Sequence, residues 1–167
     1  MFTVYYEYLE KVRRFVRQRG ERARFVMSLC WGAFVLAEAG LLDDRACTTF
    51  PSDYQRFAES FPAARLHVNV SFVHEGRFLT SEGGARSYLA AMYLVDLLYG
   101  EAVAAGVGRG LLIPWPPDPA ERPPVVTDPR VLPPAPEGAD EFGWPLVLAV
   151  TRNGKCLRFP LEPHRTP

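Results

Sequence analysis

The chain holds few of the residues that most often announce a function. Among its 167 residues are three histidines and three cysteines. The cysteines, Cys30, Cys47 and Cys156, are odd in number and far apart. That excludes a disulfide framework, matches no zinc-ligand spacing and points to a reducing compartment. Neither sign of charge is in excess: nineteen basic residues balance nineteen acidic ones. No global field therefore draws the protein to nucleic acid or to an anionic membrane. No apolar run reaches the roughly 20 residues that span a bilayer, and the N-terminus lacks a basic-then-apolar signal pattern. The cytoplasm is the expected compartment. There is no internal repeat, and Gly106-Val107-Gly108-Arg109-Gly110 follows a helix rather than a strand, so it fits no dinucleotide fingerprint. No metal, cofactor, nucleic acid or membrane partner is expected.

What is present is ordinary in bulk and uneven in place. Hydrophobic residues make up 48% and charged residues 23%, a soluble globular composition long enough for one domain with a real core. Seven basic residues fall between Lys11 and Arg24, against Glu21 alone, which reads as a solvated helix face. Ten of the sixteen prolines crowd between Pro114 and Pro136. With no apolar period there, the reading is an extended surface linker over residues 114–137. It separates an α/β domain at 1–113 from a tail at 138–167. In that tail Asn153-Gly154 lies between the strand-like runs Pro145–Val150 and Lys155–Phe159, a strong hairpin signal. The hairpin is expected to cover a sheet edge or to pair with another subunit.

Within the first 113 residues the apolar periodicity alternates between strand and helix. Residues 6–19 place Leu9, Val12, Phe15 and Val16 on one stripe, and Gly20 is read as the end of that helix. Ahead of it, Phe2-Thr3-Val4-Tyr5-Tyr6 resembles a strand. Cys47 to Phe50 is a short strand, and Asp53 caps a helix that Pro62 stops. Leu66, Val68, Val70 and Phe72 alternate with polar residues as in a half-buried strand, and Glu75-Gly76 turns the chain into Arg77–Thr80. Residues 85–99 form a helix apolar on most sides, hence buried against the sheet and a partner, and Gly100 ends it. A second short helix runs over 101–107. Strands alternating with helices imply a three-layer α/β sandwich with a mainly parallel, doubly wound sheet.

The sharpest signal is Arg24 to Gly40. An apolar run of strand length reaches Cys30, and Gly32 then opens an alanine-rich helix that Gly40 closes. Such a junction is a nucleophile elbow, in which a tight turn lifts one side chain out of the sheet's carboxyl end. The amides and dipole of the new helix would favour thiolate at Cys30, and the Trp31 N–H would serve as an oxyanion donor. The competing reading is a small buried apolar cysteine. Glu82-Gly83-Gly84, after Ser81, is a candidate anion-binding turn, or else a turn needing glycine for its backbone angles. His67, on a polar strand face, and His74, beside a turn, are expected at the surface. His164, among prolines, is incidental.

Cys30-Trp31-Gly32 with the following Ala33-Phe34-Val35-Leu36-Ala37-Glu38-Ala39-Gly40-Leu41-Leu42-Asp43 resembles the ThiJ/PfpI family, the Parkinson-associated deglycase type of the glutamine-amidotransferase-like superfamily. Ala46-Cys47-Thr48-Thr49-Phe50-Pro51, Val73 to Gly84 and Ala91 to Gly100 agree in order and spacing. The resemblance implies a flavodoxin-like fold, a homodimer, and Cys30 attacking a small electrophile as hydrolase, glyoxalase- or deglycase-like lyase, or isocyanide hydratase. It also implies departures. Histidine often stands where this chain has Phe50, and the acid that bonds the cysteine belongs to N-terminal strands that are expected to be truncated here, deleted or supplied by another chain. Those departures favour a rival reading, a non-catalytic ligand-sensing or interaction domain of the kind found ahead of AraC-type DNA-binding regions. No helix-turn-helix pattern follows residue 113, so DNA binding by this chain is not expected.

Overall fold

The computed structural model describes residues 2–118, 123–127, 146–150 and 156–157, with side chains over 9–118 and 123–127. The elements in chain order are α1 (Phe2–Arg22), β1 (Val26–Leu29), α2 (Gly32–Glu38), β2 (Ala46–Cys47), α3 (Tyr54–Ser60), β3 (Arg65–Leu66), β4 (Phe72–Glu75), β5 (Phe78–Ser81), α4 (Ser87–Tyr99), α5 (Glu101–Leu111), β6 (Val125–Val126), β7 (Leu146–Val150) and β8 (Cys156–Leu157). The main sheet runs β6-β4-β5-β1-β7-β8, and β2 and β3 form a separate pair. β1 lies parallel to both β5 and β7, β6 is parallel to β4, and the antiparallel pairs are β4–β5 and β7–β8. The architecture is the expected three-layer sandwich with a mostly parallel sheet.

Alternation along the central strands builds the two cores. Val26 and Phe78 face Val16 of α1, Ala33, Phe34, Leu36 and Ala37 of α2, and Phe57 of α3. Phe25, Met27 and Leu79 face Leu89, Ala90 and Leu94 of α4. Strands buried on both faces explain why β1 reads as one continuous apolar run. α4 also packs against α5 of the same chain, where Met92 Cε would lie 3.6 Å from a Cβ on Gly108. Arg13 pairs with Glu38, and the Arg17 guanidinium donates to the Ala39 carbonyl, so α1 fastens the end of α2.

Five local readings need correction. The segment Phe2–Tyr6 is the first part of α1 and not a strand, because extending an existing helix costs far less than nucleating a new element. Gly20 does not end α1: it lies inside the helix, where an added Cβ would sit 2.6 Å from the Leu41 side chain. The alternation from Leu66 to Phe72 is not one strand. Asn69 takes a positive φ of 57° and breaks it, leaving β3 to pair with β2 while β4 pairs with β5. The proline-rich segment is not wholly a linker, since Val125–Val126 joins the sheet as its edge strand β6, the one strand position that flanking prolines tolerate. His74 is buried rather than exposed.

In the tail, β7 pairs with β8 through Ala149 opposite Leu157 and Val150 opposite Cys156, and β7 lies against β1. The Asn153-Gly154 turn, His164 and all of 128–145 lie outside the described residues. Among the described residues, no helix is long and apolar enough to cross a membrane.

Candidate functional site at the Cys30 elbow

Cys30 ends β1 at the carboxyl edge of the sheet with φ of +56°. A non-glycine residue in the left-handed region costs roughly 1–2 kcal/mol. Here it is held by bonds from several sides. The Cys30 amide donates to the Ser81 carbonyl at 3.0 Å, and the Thr49 hydroxyl donates to the Cys30 carbonyl at 3.1 Å. Gly83, at φ +86°, packs so closely that a Cβ there would lie 2.3 Å from the Cys30 Cβ and 2.7 Å from its Cα. The elbow read from the sequence is therefore present as geometry.

Its electrostatics run the other way. Burial pushes the Cys30 thiol above the ordinary cysteine value; the Trp31 amide, donating to the sulfur, pulls it partly back, and the Asp53 carboxylate pushes it up again. The expected low-pKa thiolate is thus not what this arrangement favours. The helix after the elbow is two turns long and does not outweigh desolvation. Cys47, fully buried, is pushed up to about 12 by burial and then by Glu75.

Trp31, expected to offer its amide to an oxyanion, has that amide pulling the thiol pKa down. Its indole is 39% exposed at the rim. The ring stacks on Phe34 at 4.7 Å, its Nε1–H donates to Asp53 Oδ2 at 2.8 Å, and the Arg56 guanidinium lies 4.8 Å from its centre. Asp53 does precede α3, but its side chain makes no cap bond to that helix.

The turn Ser81, Glu82, Gly83 and Gly84 lies against the elbow, with its polar groups largely engaged inside the chain. The Glu82 amide donates to the Ser71 carbonyl, the Gly83 amide to the Ser81 hydroxyl, and the Ser81 hydroxyl to the Ser71 carbonyl. Glu82, itself buried, pairs with Arg86 at 3.4 Å. What the turn supplies most directly is the bare glycine surface that Cys30 packs on.

The histidines stand apart from this chemistry. His74 Nε2–H donates to the Gly76 carbonyl at 2.8 Å, so Nδ1 accepts from the Tyr93 hydroxyl at 2.9 Å. Burial holds its pKa below the usual imidazole value. His67 is partly buried, and its amide donates to the Cys47 carbonyl. Sequence reasoning missed the parts played by Thr49 and Asp53. Thr49 stood within the Ala46–Pro51 stretch and could have been found there, whereas Asp53 had no signal beyond its place before a helix.

The fold and this site define an α/β domain built around an elbow cysteine. The DJ-1/PfpI family profile matches residues 5–96, more than half of the 167 residues, and the chain belongs to that family. It is 26% identical over 95 residues to the HTH-type transcriptional regulator GbdR of Pseudomonas aeruginosa, covering 57% of this chain and 26% of that one. The chain thus spans about a quarter of the length of that curated relative. A crystal structure of an AraC family transcriptional regulator from Pseudomonas putida is 27% identical with a TM-score of 0.53, covering 64% of this chain and 55% of that chain. The crystal structure of Drosophila melanogaster DJ-1beta is 21% identical with a TM-score of 0.54, covering 62% and 54%, and speaks for the fold alone.

Proposed function

We propose that this chain is a small-molecule recognition domain centred on Cys30, and that it senses a ligand rather than turning one over. One observation carries the reading: the elbow is intact, yet its thiol is held above the ordinary value by burial and by Asp53. A nucleophilic cysteine needs the opposite shift or a general base beside it. His74, bonded on both ring nitrogens, is not free to be that base. The likeness to two transcriptional regulators supports the same reading.

A second reading keeps the chemistry: a cysteine-dependent hydrolase or lyase acting on a small electrophile, of glyoxalase, deglycase or isocyanide hydratase type. The Trp31 amide on the sulfur and the strained φ of Cys30 favour it, since strain persists where the surroundings impose it and often marks function.

Turnover of methylglyoxal and of an aryl isocyanide by the wild type and by Cys30→Ala separates the two readings. A thermal-shift screen of small aldehydes, 2-oxo acids and amines completes the test. Sensing gives equal background rates in both proteins, and a ligand-dependent rise in Tm that Cys30→Ala weakens. Turnover that disappears in Cys30→Ala replaces sensing with the second reading.

A further inference from the structure

The strongest unassigned arrangement is the group beside the elbow: Trp31, Phe34, Asp53 and Arg56. Trp31 directly follows Cys30, so whatever fixes its indole fixes the ring that stands beside the elbow. Its ring is restrained on one face by Phe34, at 4.7 Å and 19° between planes. Phe34 in turn sits edge-on against Phe57 of α3. The indole Nε1–H has one acceptor, Asp53 Oδ2, which also receives the Ser52 hydroxyl at 3.1 Å. A half-exposed tryptophan at a cleft rim would ordinarily sample several rotamers. Here a charge-assisted bond, stronger than a neutral one, selects a single rotamer.

We propose that Asp53 is a positioning residue for the Cys30 site, holding the Trp31 indole beside the elbow through one charged hydrogen bond from the start of α3. The proposal takes Cys30 as the centre of the site, as above, but its readouts do not depend on turnover. It gives α3 a function beyond packing, because any shift of α3 is transmitted to the wall next to the sulfur. A second consequence is electrostatic. The charged groups at this end of the sheet are Asp53, Arg56, Glu82 and Arg86. Glu82 and Arg86 pair with each other and Arg56 rests on the Trp31 and Phe34 rings, leaving Asp53 as the carboxylate that acts on the thiol.

Two variants separate the two consequences. Asp53→Asn keeps an oxygen to accept from the indole and removes the charge, whereas Asp53→Ala removes both. Two measurements are made on each: the pH midpoint of Cys30 alkylation by iodoacetamide, followed by peptide mass spectrometry, and solvent exchange of the Trp31 indole N–H by nitrogen-15 NMR. That resonance, one of three tryptophan signals, is assigned by its loss in Trp31→Phe. The expected result is a lower alkylation midpoint in both variants, with faster indole exchange in Asp53→Ala alone. A merely structural Asp53 would lower Tm and leave the midpoint in place. An unchanged midpoint in Asp53→Asn, or wild-type indole exchange in Asp53→Ala, overturns the proposal. Should Asp53→Ala not fold, Asp53→Asn and Trp31→Phe decide it: Trp31→Phe keeps the stack, loses the bond and must alter the Cys30 alkylation rate at fixed pH. Discovery of turnover would revise the function proposed above and leave these readouts standing.

Discussion

Gly83 and Cys30 are pressed together backbone against backbone, with no room for a methyl group between them. A Cβ built on Gly83 would lie 2.3 Å from the Cys30 Cβ and 2.8 Å from its amide nitrogen. Both residues carry positive φ, +86° at Gly83 and +56° at Cys30. The strained Cys30 backbone is therefore accommodated by the missing side chain of Gly83. Gly83→Ala is expected to destabilise the protein by about 3 kcal/mol or more, combining backbone strain with an unrelievable clash. Gly76 is the control, because its φ is +59° and nothing lies within 4 Å of an added Cβ. Gly76→Ala should cost only the strain, about 1 kcal/mol. Urea denaturation of the two variants checks both values, and equal costs would show that the contact with Cys30 is unimportant.

A pH dependence follows from His74. The Tyr93 hydroxyl, whose pKa burial raises to about 12, stays protonated and donates to Nδ1, while Nε2–H donates to the Gly76 carbonyl. Burial lowers the folded pKa of His74 below its unfolded value, about 6.5. Between those two values the unfolded chain binds more protons, so stability falls as pH falls. His74 therefore contributes fully above about 6.5, and its contribution is lost on acidification towards the folded pKa. His74→Gln should flatten thermal stability against pH in that window. Tyr93→Phe, which leaves Nδ1 without a donor, should cost about 1–2 kcal/mol at neutral pH.

Ser28 offers a substitution that should help. Its hydroxyl, fully buried on β1, has no hydrogen-bond partner among the described residues, and neither has that of Thr48. Burying an unpaired hydroxyl costs about 1–3 kcal/mol. Ser28→Ala is therefore expected to be neutral or to raise stability by up to about 1 kcal/mol, read as an unchanged or higher Tm. A clear loss of stability would mean that the hydroxyl is bonded.

The sequence exposes some parts of this molecule far better than others, for physical reasons. The elbow was legible because a buried parallel strand, a cysteine and a small-residue helix leave a composition that little else produces. The tail hairpin was legible because an Asn-Gly pair between two apolar runs has few other uses; the described part of it, β7 paired with β8, agrees. The alternation at Leu66–Phe72 misled because apolar residues at every second position do not by themselves make a strand, and this segment crosses from one sheet to another without burying them alternately. Here Val68 ends up exposed and Asn69 turns.

The electrostatics of the site were the least legible part. A helix start beside a cysteine argues for thiolate, but burial and a carboxylate from a distant residue argue against it. Asp53 lies 22 positions from Trp31, and nothing local marks the pair. His74 misled for a related reason: a histidine next to a turn is ordinarily wet, but a tyrosine from α4 covers this one.

The central claim is that the elbow thiol is present but held in its protonated form, and the direct measurement is the pH dependence of Cys30 alkylation in the native protein, resolved by peptide. Cys47, with its thiol pushed up to about 12 and no exposed surface, should not react under native conditions and does not obscure the reading. A midpoint above the free-cysteine value of about 8.5 is expected. A midpoint well below it, in the range of activated catalytic thiols, about 3.5–7.5, would contradict the claim and identify Cys30 as a nucleophile.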